Sequence, residues 1–227
     1  MQRRATRGIR RYYRGSSVIA RMDRIAGSDA LASGRNSRTP ADKARHALSP
    51  LDPVPEAPLT DSPAGRAAEQ DGWFIVNVAE AAGMHTDRFG AACRFEVAAG
   101  RFPEFGINVR VLDPGRPNCL YHRESAQEAF LVLSGDCNAV VEEQERRLRA
   151  GDLLYTPPGT AHVLVGAGDV PCAILMVGTR KDPEELLYPV SPVAARHGAS
   201  VERETSDEEA AYAGVEAEPG PLRRVPW

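Results

Sequence analysis

The chain has 227 residues, of which 42% are hydrophobic, and a formal net charge of −3. This length and composition allow one well-packed core and argue against a second. No apolar run approaches the length of a membrane span, which argues against a membrane-spanning helix.

The first residues are strongly basic, because seven arginines precede the first acid, Asp23. A basic arm can bind nucleic acid or an anionic membrane. A single aromatic pair, Tyr12–Tyr13, accompanies these arginines, so we do not expect nucleic-acid or membrane binding. The segment also resembles an organelle transit peptide, and a start codon assigned upstream of a true start at Met22 would look the same. The sequence leaves these two explanations open.

No apolar stretch follows the arginines, which argues against a secretory signal. The four cysteines, at positions 93, 119, 137 and 172, have no zinc-type spacing. Those at 137 and 172 have apolar flanks, which predicts buried, reduced thiols in a cytoplasmic protein.

Three regions are predicted along the chain. Residues 1–70 form a basic arm and a linker rich in Ala, Pro and Ser, which offers little to bury and is expected to be disordered. Residues 71–182 form the folded domain, with order beginning at WFIVN (73–77). Residues 183–227 form an extension with short helices, namely SPVAARHG closed by Gly198, and a second helix capped by Ser206 that runs through Ala213.

The central region contains short apolar runs separated by turns rich in Gly, Pro and Asp, and no internal repeat. Such spacing is typical of an all-β sandwich or barrel rather than a βα repeat. The predicted strands are 93–97, 107–112, 128–135, 137–142, 146–151, 152–157, 161–166 and 172–178.

Two motifs in this region resemble those of the cupins. Gly151-x5-Pro157-x-Gly159-x2-His162 resembles their second motif, although Gly166 stands where Asn is usual. Glu128-x6-Gly135 resembles the end of their first motif. The resemblance covers residues 90–180 and implies a small jelly-roll barrel, the double-stranded β-helix of RmlC-like proteins, with a metal held by three His and one Glu.

The start of the first motif departs from the family pattern, and two registers are open. One places the usual His-x-His pair at Tyr121 and Arg123, which would abolish a normal metal site. The other places it at His122 and Glu124. We favour the second register, because alternate residues of a strand face the same side and only this pair offers donors suited to a divalent cation.

The predicted metal ligands are therefore His122, Glu124, Glu128 and His162. Two imidazoles and two carboxylates suit Fe, Mn, Zn or Ni as a divalent cofactor and disfavour copper held by thiolates. The same residues could instead lie on the wet face of a strand, with His162 bonded to a backbone carbonyl. His46, His85 and His197 are expected to lie outside the site, whose walls are predicted to include Phe130, Val132 and Leu164.

Two classes of function fit this prediction. The first is an enzyme acting on a small oxygenated molecule, dioxygenase- or isomerase-like, in which Glu124 or Glu128 moves a proton. The second is a non-catalytic module that binds a small-molecule ligand or a metal, since one barrel fold carries many functions. A homodimer is expected in either case, because the apolar WFIVN segment can pair between chains.

Overall fold

The structure is a computed structural model of the whole chain, and it describes residues 53–96, 102–222 and 225–226. The predicted arm and most of the predicted linker, including His46, lie outside these residues. No helix in the described part is long and apolar enough to cross a membrane.

Strands dominate the described residues, as the sequence predicts. In chain order they are β1 (Leu59–Ser62), β2 (Gly65–Ala68), β3 (Gly83–Thr86), β4 (Gly90–Arg94), β5 (Phe105–Leu112), β6 (Arg123–Glu124), β7 (Glu128–Ser134), β8 (Asp136–Val141), β9 (Gln144–Arg149), β10 (Leu153–Thr156), β11 (His162–Ala167), β12 (Cys172–Thr179), β13 (Leu186–Leu187) and β14 (Glu218–Pro219). Two short helices, α1 (Pro192–Ala195) and α2 (Glu208–Ala211), lie between β13 and β14.

Two antiparallel sheets form the barrel. The larger has the order β10-β7-β12-β5-β4-β3-β14, and the smaller has the order β11-β8-β9. Isolated bridges from Pro117 to Val165 and from His122 to His162 attach the segment before β6 to the smaller sheet. Side chains from both sheets fill the space between them, as in Phe130, Leu164 and Ile174. The fold is thus a jelly-roll barrel, which confirms the predicted class.

All eight apolar runs predicted as strands contain strands, because each has a partner in one of these sheets. The WFIVN segment is an exception: Trp73 makes a single bridge to Glu56, and residues 74–77 are not strand. The four cysteines are buried and free, as predicted.

The predicted linker is wrong for residues 53–70, which are structured. Strands β1 and β2 form a hairpin there. Its backbone bonds to residues 80–83, since Arg66 N donates to Glu80 O and Gly83 N donates to Ala64 O. The small side chains of Ala57 and Ala68 are buried, so a segment with little bulk still packs tightly.

The extension after the barrel packs on it. Helix α1 is capped at its N-terminus by Ser191. Gly198, which the sequence predicts to close this helix, follows it with a φ of +66°, a left-handed conformation that glycine adopts easily. Helix α2 is capped by Asp207 rather than Ser206, because the Asp207 carboxylate accepts from the amides of Glu209 and Ala210. The helix is also shorter than predicted, ending at Ala211.

Candidate metal centre

His122 and His162 face each other across the edge of the smaller sheet. The amide of His162 donates to His122 O at 2.8 Å, and the amide of His122 donates to His162 O at 3.2 Å. This pairing sets the two imidazole rings 4.9 Å apart. Glu128, the first residue of β7, comes from the larger sheet. The site therefore lies between the two layers of the barrel.

Backbone carbonyls orient both imidazoles in the same way. Nδ1 of His122 lies 2.9 Å from Leu120 O, and Nδ1 of His162 lies 3.0 Å from Thr160 O. A carbonyl only accepts, so each Nδ1 carries hydrogen and donates. In the neutral ring this leaves Nε2 with its lone pair free to bind a metal.

Three ligand atoms converge inside the barrel. One atom each from His122, Glu128 and His162 lies within 4.8 Å of the others. All three residues are buried, and His122 Nε2, His162 Nε2 and Glu128 Oε2 lack hydrogen-bond partners. His162 Nε2 and Glu128 Oε2 are 2.9 Å apart, close enough for an ion pair if the imidazole carries a second proton. Two acceptor atoms this close repel unless a positive charge lies at or between them.

The pKa shifts of the group show how a proton can supply that charge. Burial and the neighbouring His162 lower the pKa of His122 to about 4, so this ring is neutral near pH 7. Burial opposes charge on His162, but the contact with Glu128 raises the pKa of His162 above its ordinary value. Burial likewise opposes charge on Glu128, yet His162 lowers the pKa of that carboxyl. Both shifts favour a protonated His162 beside an ionised Glu128 when no metal is bound.

Glu124, predicted as a fourth ligand, is buried but lies outside this compact group. It contributes no atom to the set whose members lie within 4.8 Å of one another. Strand β6, which carries Glu124, pairs with β13 rather than with either main sheet. The Glu124 carboxyl nevertheless interacts with Glu128 and, after the two histidines, helps to lower the pKa of the Glu128 carboxyl.

The converging group fits a divalent metal. Two neutral imidazole nitrogens and one carboxylate are a donor set used for Fe, Mn, Zn and Ni, and three protein ligands leave positions open for a substrate. The orphaned Nε2 and Oε2 atoms are those that such an ion would satisfy. The described residues thus contain a His/Glu group able to hold a metal.

The alternative register is not the arrangement that the structure shows. Arg123 is exposed, while Tyr121 is buried in a different cluster with Val140 and Val163. The Tyr121 hydroxyl accepts from the amide of Glu143, away from the three ligands. Of the predicted wall residues, the Phe130 ring is 5.1 Å from that of His162. Val132 and Leu164 belong with Phe130 to the cluster of the barrel core.

The remaining described histidines lie elsewhere. His85 lies on β3 rather than in a loop, and its Nε2 is 3.0 Å from Pro221 O. It lines a surface cleft of about 510 Å³ with Asp87, Asp113 and Glu218, away from the metal group. His197 pairs with Glu145 at 3.0 Å.

Four buried residues with polar atoms were not predicted, and two of them lie beside His122. The Cys119 thiol is 3.6 Å from His122 Nδ1. The Tyr188 ring is 6.0 Å from the His122 ring. Asn108 and Arg110 are buried on β5. In the sequence, Asn108 and Arg110 alternate with apolar residues in INVRVL, a period-two pattern that signals two polar side chains on one face of a strand.

Comparison with known proteins agrees with the fold and motifs. Residues 108–178 match the family model described as a cupin domain. The barrel of this chain therefore contains a cupin domain. Gly166, the departure from the second motif, has a steric cause, because a Cβ at this position would lie 2.3 Å from Asp113 O.

Solved structures with similar folds include three enzymes or candidate enzymes. A sugar phosphate isomerase of the cupin superfamily from Silicibacter pomeroyi has 31% identity over 42% of this chain and 62% of its own, with a TM-score of 0.39. A candidate sugar phosphate isomerase from Acidithiobacillus ferrooxidans has 25% identity over 43% and 63%, with a TM-score of 0.37.

The third is a polyketide cyclase from Streptomyces resistomycificus, with 15% identity over 48% of this chain and 80% of its own and a TM-score of 0.42. This chain spans less than two thirds of the length of either of the first two proteins. The comparison with curated proteins found no match.

Proposed function

We propose that this cupin is a metal-dependent enzyme that acts on a small oxygenated molecule, in the manner of a dioxygenase or an isomerase. The observation that carries the proposal is the pair of acceptor atoms, His162 Nε2 and Glu128 Oε2, held 2.9 Å apart in a buried site beside the orphaned Nε2 of His122. A metal ion would satisfy all three of these buried atoms, whereas a proton between His162 and Glu128 would leave His122 Nε2 unsatisfied.

His122, His162 and Glu128 would hold the metal, and the two backbone carbonyls at Leu120 and Thr160 would keep their rings oriented. When bound, the metal supplies Lewis-acid or redox chemistry to an oxygen-containing substrate. The buried Phe130 ring, 5.1 Å from that of His162, would help to exclude water from the ligands.

Glu124 is the residue placed to move a proton. Its carboxyl is buried, interacts with Glu128 and does not belong to the compact ligand group. A buried carboxylic acid beside a carboxylate can donate its proton to a substrate oxygen or accept one from a substrate carbon. The two glutamates therefore take different roles, Glu128 as a ligand and Glu124 as a proton carrier.

The test starts with the metal. Full-length protein from media supplemented with Fe, Mn, Zn or Ni is expected to contain about one ion per chain by elemental analysis, and removing it is expected to lower the melting temperature. A protein that takes up none of the four metals contradicts the proposal.

The loaded protein is then tested against small hydroxy and keto compounds, with oxygen consumption and product analysis as readouts. Turnover with oxygen uptake supports the dioxygenase version, and turnover without it supports the isomerase version. Stable metal binding with no turnover of any compound would favour a non-catalytic binding module instead.

A further inference from the structure

A surface cleft lies at the β14 edge of the larger sheet, apart from the metal group. It has a volume of about 510 Å³ and is lined by residues of β3, β4 and β5 and by part of the extension. Gly90, Ala91 and Ala217 line part of it, and they leave space that larger side chains would fill. Gly90 is required there, because a Cβ would lie 2.5 Å from Val111 O. A cleft of this volume can hold side chains of a bound segment.

Four exposed carboxylates surround this cleft, and they belong to Asp87, Asp113, Glu216 and Glu218. None of the four makes an ion pair or a side-chain hydrogen bond with another residue that the structure describes. The lining contains no lysine or arginine, and its histidine, His85, donates from Nε2 to Pro221 O. Four like charges this close repel one another, so a positively charged occupant is favoured.

The lining also offers an apolar surface, formed by Val111 and Leu222. An arginine side chain matches both features. Its aliphatic stem packs on apolar surface while its guanidinium group stays at the rim, where it can bind a carboxylate through paired N–H donors. The cleft therefore suits an arginine-rich segment.

The same chain contains such a segment. Residues 1–21 include seven arginines and no acidic residue. About 30 residues join this arm to the described part of the chain, and a flexible segment of that length spans about 30 Å on average, the diameter of a small domain. The turn of the β1–β2 hairpin, close to where the described residues begin, bonds through Ala64 O to the amide of Gly83 on β3. His85 and Thr86 of the same strand line the cleft, so the arm can reach it.

We propose that the arginine-rich arm, residues 1–21, docks in the acidic cleft of its own barrel. Each exposed ion pair is weak, so docking is not expected to change the melting temperature. The tether compensates for this weakness, because it holds the arm at an effective concentration of about 1 mM, at which even a weak site is occupied. The cleft lies apart from the metal ligands, so the inference does not depend on the proposed function.

The test locates the arm in the full-length protein. A spin label on Gly8→Cys reacts selectively, because the four native cysteines are buried. At low ionic strength we expect the label to broaden the amide NMR signals of Asp87, Gly90 and Ala217. Raising the salt from about 10 mM to about 1 M shortens the screening length from about 30 Å to about 3 Å and should restore these signals. Absence of broadening at low salt, or broadening that salt does not reverse, overturns the inference.

Charge variants assign the docking to the cleft. Asp87→Asn combined with Glu218→Gln, in the labelled protein, should remove most of the broadening at low salt. Glu104→Gln is the matched control, since Glu104 is exposed and precedes β5, about 23 Å along the strand from Val111. We expect no change in this control. Equal broadening in the parent and the double variant overturns the inference.

A variant of the arm leaves the barrel untouched and therefore covers the case in which the cleft variant does not fold. Replacing Arg10, Arg11 and Arg14 with Gln should also remove most of the broadening, and unchanged broadening overturns the inference.

Two other occupants are separated by the same signals. Broadening that appears only when spin-labelled protein is mixed with isotope-labelled, spin-free protein assigns the cleft to the arm of a second copy. Broadening that is absent in the parent and appears in Arg223→Gln with Arg224→Gln assigns it to these two arginines, which follow Leu222 and lie outside the described residues. Either result overturns docking of the arm on its own barrel.

Discussion

Replacing either histidine of the group removes a nitrogen ligand that no neighbour can supply. We expect His122→Ala and His162→Ala each to weaken metal binding by more than about 100-fold, because losing only the group that orients a ligand already costs about 10–100-fold. Metal content per chain and competition with a chelator measure the effect. Tyr121→Phe and Arg123→Gln are the controls and should keep the parent metal content, since one lies in a separate cluster and the other is exposed.

The two glutamates should behave differently when each is changed to Gln. Glu128→Gln is expected to lose most of the bound metal, because Glu128 is the carboxylate within 4.8 Å of both imidazoles. Glu124→Gln should keep most of the metal and lose turnover, because the amide cannot carry the proton. Metal analysis and activity on the same preparations make the comparison. Loss of metal from Glu124→Gln alone would show that Glu124 is the ligand.

The compact group was predicted from two sources, since Glu128 and His162 come from the resemblance to the cupin motifs and strand alternation adds His122. Alternation places His122 and Glu124 on one face and Arg123 on the other, and the structure buries the first two and exposes the third. Alternation could not predict that Glu124 lies outside the group. The position of Glu124 depends on the pairing of β6 with β13, and each of these strands has only two residues. Asn108 and Arg110 were missed because INVRVL was treated only as an apolar strand.

At the scale of single elements, the glycine that ends the second motif is required by a close approach of two chain segments. A side chain at position 166 would place its Cβ 2.3 Å from Asp113 O, where the Gly115 amide also donates to Gly166 O at 2.7 Å. Gly166→Asn, which restores the residue usual in cupins, should therefore lower the free energy of unfolding by about 1–3 kcal/mol or more.

Urea denaturation of the purified variant measures this change. Gly198→Asn is a matched control, because a Cβ there meets nothing within 4 Å and Asn tolerates its φ of +66°. We expect its unfolding free energy to change by less than about 1 kcal/mol. Equal stability of Gly166→Asn and the parent would mean that the 113–116 loop can move aside.

The sequence predicted strands correctly where an apolar run pairs with another strand of the barrel. It failed for the β1–β2 hairpin and for WFIVN, whose structure depends on contacts that the local sequence does not show. The strands of both sheets follow from short apolar runs and their turns. The hairpin of β1 and β2 does not, because its sequence resembles a linker and it is held by backbone bonds to residues 80–83. WFIVN has the composition of a strand, but only Trp73 has a bridge partner among the described residues.

At the scale of the whole molecule, the boundary of the folded part is testable by truncation. Removing residues 1–52 should leave cooperative melting and metal content unchanged, because their composition offers little for a core. Removing residues 1–70 deletes the hairpin and the buried Ala57 and Ala68, and should lower the melting temperature. Calorimetry of both truncated proteins measures this difference. Identical melting of the two would show that the hairpin adds no stability.

The sequence also predicts a homodimer, and the structure suggests which surface to test. Ile75 is 80% exposed and Trp73 is 49% exposed. Nearby, the Phe74 ring stacks on Phe102, which contacts the half-exposed Phe105. Exposed apolar side chains grouped in this way are typical of an interface between chains. We therefore expect light scattering to report twice the mass of one chain at micromolar concentration.

Ile75→Asp should shift this protein to the monomer, because it places a charge where the second chain would pack. Val170→Asp is the control, since Val170 is 61% exposed in the turn before β12, away from this surface, and its charge should leave the mass unchanged. The metal ligands lie inside one barrel, so the monomeric variant should still bind metal. A monomeric parent protein contradicts the prediction of a dimer. If the Ile75→Asp variant is still a dimer, the interface lies elsewhere, and the exposed Leu153 and Tyr155 of β10 are the next residues to change.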